Sequence, residues 1–283
     1  MVAASDEADS EGERRTEPEL EVLASGKLML DRPAPGVVRL RIDNRARRGA
    51  LDHELLDALA QIVSGLEARA LILTGTGPVF SAGYDLGNLA GQDFERDAEA
   101  LVAHPFHAAL EALEAFPRPV IAALNGHAIG GGLELALTCD LRIAARGIKV
   151  GMPPAKLGLV YSHTGLRKFL ELCGPEHTAE LFYVGRYHDA ESAREMGLLG
   201  RVVEPSELEA AALGTAAEIA ANAPLSVEHN KRILRTLRAH AGALPDAVER
   251  DLVQLREACF HTEDFREGVA AFAAKRTPVW KGR

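Results

Sequence analysis

The chain has 283 residues, which is enough for one large domain or two small ones around a buried core. Its formal net charge of −9 argues against a nucleic-acid-binding protein, because neutralising phosphates needs a basic face. Three widely spaced cysteines fit reduced thiols in a cytoplasmic protein and neither a disulfide framework nor a metal site, and no run of about twenty apolar residues could span a membrane.

The predicted elements begin after an acidic and polar segment, residues 1–25, whose composition is typical of a disordered tail. Two short strands follow, with the sequences KLMLD and VVRLRI. Apolar residues on a helical period then predict a helix over about residues 52–66, which Asp52 can cap. The next stretch, ALILT at residues 70–74, predicts a buried strand.

A loop that leads into a helix is predicted for residues 75–86, GTGPVFSAGYDL. Gly83 frees the backbone next to Tyr84, because glycine adopts positive φ without steric cost. A further helix is predicted over residues 101–116. The loop therefore offers a backbone amide just beyond the end of a buried strand.

A second glycine-rich stretch, residues 119–140, repeats this arrangement. Its first part, VIAAL, predicts a buried strand, and the chain then turns at Gly126, Gly130, Gly131 and Gly132. A helix is predicted to start near Gly131, where unpaired N–H groups and the positive end of the helix dipole can stabilise an oxyanion. If the two preceding strands are neighbours, both loops can bind one carbonyl oxygen.

Glu134 lies three positions after Gly131, between Leu133 and Leu135, in an otherwise apolar segment. A glutamate on a helix is usually solvated. Burial at this position would raise its pKa and suit it to move a proton at the α or β carbon of a thioester. We favour this functional interpretation.

After two more extended segments, LRIAA and KVGM, the sequence is mostly helical from residue 176, with one short strand in GRVVEP. Strands separated by helices predict right-handed crossovers, a mainly parallel sheet and an α/β fold. The predicted division is a core over residues 26–205 and a helical C-terminal region over residues 206–283. The glycines lack the GxGxxG spacing of a dinucleotide site, so no nucleotide cofactor is expected.

Taken together, the two loops resemble the signatures FxAGxDL and NGxxxGGGxELAxxCD of the enoyl-CoA hydratase/isomerase, or crotonase, family. The sequence TEDFREGVAAFAAKRTP, residues 262–278, resembles the end of family members. The resemblance implies a crotonase-like ββα spiral with a helical C-terminal trimerisation region, and hence a homotrimer or homohexamer. It also implies an acyl-CoA substrate and no separate cofactor.

The resemblance assigns the thioester oxygen to the backbone amides of Tyr84 and Gly131. It predicts coenzyme A contacts for Ala82, Gly83, Asp85, Leu86 and Gly130, with the main chain around Ala82 recognising adenine. Arg47, followed by Arg48, matches a basic position near the CoA phosphates, although a solvated basic turn explains the pair almost as well. Phe272 and Lys275 match positions that close the CoA site, often that of a neighbouring subunit.

One segment departs from the family pattern. Where hydratases carry a second glutamate this chain has Pro154, and the usual glycine turn is replaced by YSHTG, which includes Tyr161 and His163. The sequence PPAKLGLVYSHTGL resembles the malonyl-type CoA decarboxylase branch, in which a tyrosine lies near the departing carboxylate. Tyr161 could equally be a packing aromatic. His163 fits a helix-start or packing histidine better than a base.

Three hypotheses remain open at this point. The first is proton transfer or lyase chemistry on a 2- or 3-enoyl-CoA through Glu134, with water, Tyr161 or His163 as the second group. The second is decarboxylation of a malonyl-type thioester such as methylmalonyl-CoA. The third is a catalytically silent acyl-CoA-binding protein.

Overall fold

The structure is a computed structural model that describes residues 20–85, 104–222, 224–240, 246–276 and 278–279. Its strands are β1 (Glu21–Leu23), β2 (Leu28–Ala34), β3 (Val37–Ile42), β4 (Ala70–Gly75), β5 (Val79–Ser81), β6 (Val120–Leu124), β7 (His127–Ile129), β8 (Leu141–Ala145), β9 (Lys149–Gly151), β10 (Tyr187–Asp189) and β11 (Arg201–Val203). Its helices are α1 (His53–Gly65), α2 (Pro105–Ala115), α3 (Gly131–Thr138), α4 (His163–Ala179), α5 (Ala190–Glu195), α6 (Leu208–Ala221), α7 (Pro224–His240), α8 (Asp246–Phe260) and α9 (Glu263–Ala273).

The larger sheet has the strand order β1-β2-β3-β4-β6-β8-β11. The first three strands pair antiparallel, and the strands from β3 to β11 pair parallel. In β6 all five residues are apolar and buried, as expected for a parallel strand covered on both faces. Helix α6 packs against β3, β4, β6 and β8 and covers one of these faces.

The smaller sheet, β10-β9-β7-β5, was not predicted. The prediction of loops at Val79–Ser81 and His127–Ile129 was wrong, since these segments form β5 and β7, which pair parallel. Three-residue strands gain their stability from distant neighbours, so no local period marks them. Each of the pairs β4–β5, β6–β7 and β8–β9 places one strand in each sheet, and α2, α3 and α4 follow in turn. The chain therefore advances in ββα turns.

The predicted helix near residue 52 is confirmed as α1, whose N-cap Asp52 accepts a hydrogen bond from the Leu55 amide at 3.0 Å. The predicted boundary of the tail lies too late in the chain, because β1 starts at Glu21 and pairs with β2. Residues 1–19 lie outside the described chain. Within the described part of the predicted helix over residues 101–116, α2 runs from Pro105 to Ala115.

The region after residue 206 is helical in its described parts, but its first helix, α6, belongs to the core because it packs on the larger sheet. A second, smaller cluster joins α8 and α9 through Phe260, Phe265 and Val269, with Leu159 packed against it. In the ranges that the structure describes, every helix is too short or too polar to cross a membrane.

Candidate active site

The start of α3 forms one wall of the site. A Cβ atom placed on Gly132 would lie 2.4 Å from the Ser81 carbonyl oxygen, so only glycine lets α3 approach β5 this closely. Glu134 lies in the first turn of α3 and is 3% exposed. The helix therefore carries a carboxyl group into the protein interior one turn from its N-terminus.

The turn that follows β5 forms the opposite wall. Gly83 has a φ of +91°, and a Cβ atom there would lie 2.8 Å from the Ile129 carbonyl oxygen and 3.2 Å from the Gly131 nitrogen. The buried hydroxyl of Ser81 holds this turn, because it donates to the Gly49 carbonyl at 2.7 Å and accepts from the Gly83 amide at 3.2 Å. The two predicted loops thus meet, as the parallel pairing of β5 with β7 requires.

Tyr161 completes the centre of the site. Its hydroxyl donates a hydrogen bond to Oε2 of Glu134, and both side chains are buried. Gly165, in the first turn of α4, lies against both, since a Cβ atom on it would be 2.5 Å from the Tyr161 ring and 3.0 Å from Oε1 of Glu134. The Tyr161 ring also contacts Phe182, with ring centroids 5.4 Å apart. The tyrosine is therefore fixed on the carboxylate by packing on two sides.

The environment shifts the protonation of both groups. Burial raises the pKa of Glu134, and the positive charge of Lys168 and the hydrogen bond from Tyr161 oppose this shift. Burial also raises the pKa of Tyr161 well above its ordinary value, and the negative charge of Glu134 adds to the effect. Tyr161 therefore stays protonated as a donor, while Glu134 is the group that can exchange a proton.

The side chain of Tyr84 covers the start of α3. A Cβ atom on Gly131 would lie 3.1 Å from two carbons of the Tyr84 ring. The ring packs edge-on against Phe106, with centroids 4.9 Å apart, and a hydrogen bond between Tyr84 and Tyr161 contributes to the raised pKa of Tyr161. Tyr84 thus links the start of α3 to two further aromatic side chains, Phe106 and Tyr161.

Sequence reasoning missed the polar groups behind Glu134. Lys168 on α4 donates to Oγ1 of Thr138 at 2.6 Å and to Oε1 of Glu114 at 2.9 Å, and Thr138 donates to the Glu134 carbonyl at 2.9 Å. Lysine and glutamate on helices are usually solvated, so no signal in the sequence marked this contact between α2, α3 and α4. Among the described residues, no cluster of His, Cys, Asp or Glu could hold a metal ion.

Comparison with known proteins identifies the family. The family model described as Enoyl-CoA hydratase/isomerase matches residues 34–283. The chain belongs to this family. It is 35% identical to the 2,3-dehydroadipyl-CoA hydratase of Escherichia coli (strain K12), over 87% of this chain and 96% of that protein. It is also 35% identical to the carnitinyl-CoA dehydratase of Salmonella typhi, over 92% of this chain and all of that protein.

Solved structures give the same result for the fold. A methylmalonyl-CoA decarboxylase in complex with 2-nitronate-propionyl-CoA superposes with a TM-score of 0.83, at 29% identity, and the match covers 91% of this chain and 99% of that one. The crotonase-like α/β fold predicted from the two loop signatures is therefore confirmed. The ββα turns described above are this spiral.

Several residues that the family pattern assigns to coenzyme A have structural partners in this chain. Asp85 is buried and forms an ion pair with the half-exposed Arg47 at 3.2 Å. The exposed Ala82 donates its amide to the Arg48 carbonyl at 3.1 Å. The Gly130 amide donates to the Gly151 carbonyl at 2.9 Å. Leu86 lies outside the described residues.

Four further family positions lie in or just after α9, in the 3-10 helix before α4 and at the start of α4. Phe272 on α9 is 63% exposed and Lys275 is also exposed, so neither belongs to the buried cluster around Glu134. Pro154, at the position of the second family glutamate, is buried at the start of a short 3-10 helix. His163 is the first residue of α4, directly after the N-cap Ser162. The CoA roles of Phe272 and Lys275 remain predictions.

Proposed function

We propose that this protein is an acyl-CoA enzyme that moves a proton at the α carbon of a 2- or 3-enoyl-CoA through Glu134. The observation that carries the proposal is the buried carboxyl of Glu134, which accepts the Tyr161 hydroxyl and lies one helical turn from the Gly131 amide. A carboxyl group whose pKa is raised by burial exchanges protons at neutral pH more readily than a solvated one.

The amides of Tyr84 and Gly131 are proposed to bind the thioester oxygen. Gly131 is the first residue of α3, where an N–H group has no carbonyl partner within the helix and lies at the positive end of the helix dipole. The close approach of Gly83 to Gly131 supports a shared oxygen site. Negative charge develops on this oxygen in the enolate, and fixed donors stabilise it more than the ground-state carbonyl.

The proton step then follows from the two buried side chains. With a 3-enoyl-CoA, the Glu134 carboxylate takes a proton from the α carbon, and the electron pair of the broken C–H bond is delocalised onto the thioester oxygen as a dienolate. Tyr161 keeps its proton and orients the carboxylate. Return of the proton from Glu134 to the γ carbon gives the 2-enoyl-CoA, and the reverse reaction starts with removal of a γ proton from the 2-enoyl-CoA. The relatives named a hydratase and a dehydratase support chemistry on enoyl-CoA thioesters of this kind.

Hydration by two carboxylates is expected to be slow in this protein. Pro154 stands where family hydratases carry the second glutamate, and a proline side chain can neither donate nor accept a proton. Glu134 and Tyr161 then have to supply both proton positions. We therefore place isomerisation and related one-carboxylate reactions before hydration.

A second candidate is decarboxylation of a malonyl-type thioester such as methylmalonyl-CoA. The position of the Tyr161 hydroxyl in the centre of the site favours it, together with the similarity to a methylmalonyl-CoA decarboxylase. In that reaction the bond from the α carbon to the carboxylate breaks, CO₂ leaves, and the electrons form the same enolate. Protonation of the α carbon ends the reaction. Decarboxylation needs the oxyanion site but no pair of carboxylates.

The test is a set of reactions in D₂O followed by mass spectrometry, with crotonyl-CoA, a 3-enoyl-CoA, methylmalonyl-CoA and the unreactive analogue butyryl-CoA. Proton transfer through Glu134 predicts deuterium at the α carbon of butyryl-CoA, which Glu134→Gln abolishes. Decarboxylation predicts CO₂ loss that Tyr161→Phe impairs more than Glu134→Gln does. Binding of CoA thioesters with neither exchange nor turnover would overturn both candidates and identify a silent binding protein.

We also propose assembly as a homotrimer or homohexamer. The exposed apolar surface of Phe272 on α9 supports a subunit contact at this end of the chain. Sedimentation velocity of the full chain should give a trimer or hexamer at micromolar concentration, and Phe272→Ser should weaken it. A monomer for the unmodified chain would exclude this assembly.

A further inference from the structure

Lys168 is an unusual lysine, because its side chain is only 11% exposed and its ammonium is bonded on two sides. It donates to the Thr138 hydroxyl at 2.6 Å and to the Glu114 carboxylate at 2.9 Å. Removing an ammonium from water costs free energy unless hydrogen bonds and opposite charge compensate. A lysine held in this way has a fixed position, so its charge acts on a fixed neighbour.

That neighbour is Glu134. Thr138, one turn further along α3, donates to the Glu134 carbonyl at 2.9 Å and accepts from Lys168, which ties the lysine to the same helix. Of the charged groups that act on Glu134, Lys168 has the largest effect and Glu114 a smaller and opposite one. The two ends of the ion pair therefore act on the pKa of Glu134 in opposite directions, and the lysine has the larger effect.

Within the described chain, the titratable groups that face Glu134 come from three neighbours. They are Tyr161 from the segment before α4, Lys168 from α4, and His107 and Glu114 from α2. Burial alone would favour the neutral carboxylic acid, which cannot accept a proton. The positive charge of Lys168 opposes this effect on the pKa of Glu134, and the bond to Thr138 ties that charge to α3.

We propose that Lys168 is a positioning residue for Glu134: hydrogen bonds to Thr138 and to the partly exposed Glu114 hold its ammonium in a fixed place on the helix that carries Glu134. This inference rests on the proposed role of Glu134 in proton transfer and goes beyond it, since it names what controls the pH range of that step. Lys168 touches neither substrate nor reacting atoms in this role.

The expected effects have opposite signs for the two ends of the ion pair. Lys168→Met removes the positive charge, so the pKa of Glu134 rises. The acid limb, which is the part of the pH profile where the exchange rate falls as Glu134 becomes protonated, then moves to higher pH. On that limb we expect roughly a tenfold loss of rate, the scale of one nearby charge. Glu114→Gln removes the negative charge, so the limb moves to lower pH. Lys168→Arg keeps the charge and should stay close to the wild type.

Lys231 provides a matched control. Its side chain is also 11% exposed, and it bonds the Asp140 carboxylate at 2.7 Å and the Arg118 carbonyl at 2.9 Å. It is not among the groups that shift the pKa of Glu134. Lys231→Met should therefore lower the unfolding temperature as Lys168→Met does, while leaving the acid limb where it is.

The experiment measures the pH profile of α-proton exchange on butyryl-CoA for the full chain and these variants. The ¹³C shift of the Glu134 carboxyl, assigned by its absence in Glu134→Gln, gives the titration without turnover. Opposite movements for Lys168→Met and Glu114→Gln, with none for Lys231→Met, would support the proposal.

The proposal would be overturned if Glu134 titrated at the wild-type pH in both Lys168→Met and Glu114→Gln while exchange still depended on Glu134. Should Lys168→Met fail to fold, the direction of the Glu114→Gln movement decides alone. Exchange that is independent of Glu134 would instead disprove the proposed function, so the two failures are distinguishable.

Discussion

The two turns that meet at the site differ in what they bury. The first turn, residues 81–85, buries groups that hold its own shape: the Ser81 hydroxyl bonded to Gly49 and Gly83, and the Asp85 carboxylate paired with Arg47. The second turn, residues 130–134, buries the titratable carboxyl of Glu134. Both follow strands of the smaller sheet, and they approach each other closely at Gly83 and Gly131.

The two turns therefore have separate roles: the second carries the titratable group, and the first maintains the backbone conformation of the site. In the first turn the Ser81 hydroxyl fixes the backbone at Gly83, and the Asp85 carboxylate is paired with Arg47. The second turn needs little side-chain support, because Gly132 packs directly on Ser81 of β5. Substitutions of the buried carboxyl should therefore change rate at constant fold, whereas substitutions in the first turn should change folded stability first. Four substitutions test this separation.

The largest effect is expected for Glu134→Gln. The amide keeps the size of the side chain and a partner for the Tyr161 hydroxyl, but it cannot take a proton, so the exchange rate should fall on the order of a hundredfold or more. Unchanged CoA binding, measured by calorimetry, is the control. A folded variant with the wild-type exchange rate would place the proton-moving group elsewhere.

The same variant has a stability signature with a definite sign. Because burial raises the pKa of Glu134 in the folded protein, folding favours the protonated acid. Relative to Glu134→Gln, the wild type should lose free energy of unfolding as pH rises from the ordinary glutamate pKa to the raised one. Above the raised value the difference should level off. Urea unfolding of both proteins at several pH values measures it.

Gly132→Ala is the expected exception to this division between the turns. It lies in the second turn, yet it should lower folded stability. Its Cβ atom would lie 2.4 Å from the Ser81 carbonyl oxygen. A backbone carbonyl cannot relieve the clash by changing rotamer, as a side chain can. We expect the free energy of unfolding to fall by about 3 kcal/mol or more, the upper end of the range for overpacked sites. Gly131→Ala is the matched control, since the atoms nearest to its Cβ would be those of the Tyr84 side chain, at 3.1 Å, and not backbone.

Ser81→Ala tests the first turn, where a substitution should lower folded stability. It leaves the Gly49 carbonyl and the Gly83 amide without their buried partner, which should cost about 1–2 kcal/mol of folded stability. Ser64→Ala is the control, because that hydroxyl also bonds a carbonyl but is exposed. Equal effects in both would mean that Ser81 does not hold the first turn.

Much of this arrangement was accessible from the sequence. The apolar strands β4 and β6 and the capped helix α1 carry local signals, and the glycines before Glu134 marked a helix start in an unusual place. The strands β5 and β7 carry no such signal, because three residues between glycines and prolines become strands only when distant segments pair with them. Lys168 could not be recognised from the sequence for a related reason, since its two partners, Glu114 and Thr138, lie on two other helices that are distant in sequence.

Arg47→Ala should have the smallest effect on folded stability. It tests whether the Arg47 side chain only holds the first turn or also binds substrate. The half-exposed ion pair with Asp85 is expected to contribute less than about 1 kcal/mol. If Arg47 also binds CoA phosphates, as the family pattern predicts, KM should rise severalfold at constant kcat, and the difference should shrink with added salt. Arg45→Ala, in the same short helix and paired with Asp43, is the control. An unchanged KM would limit Arg47 to holding the turn, and substrate binding would then have to come from the backbone of this turn and from the second one.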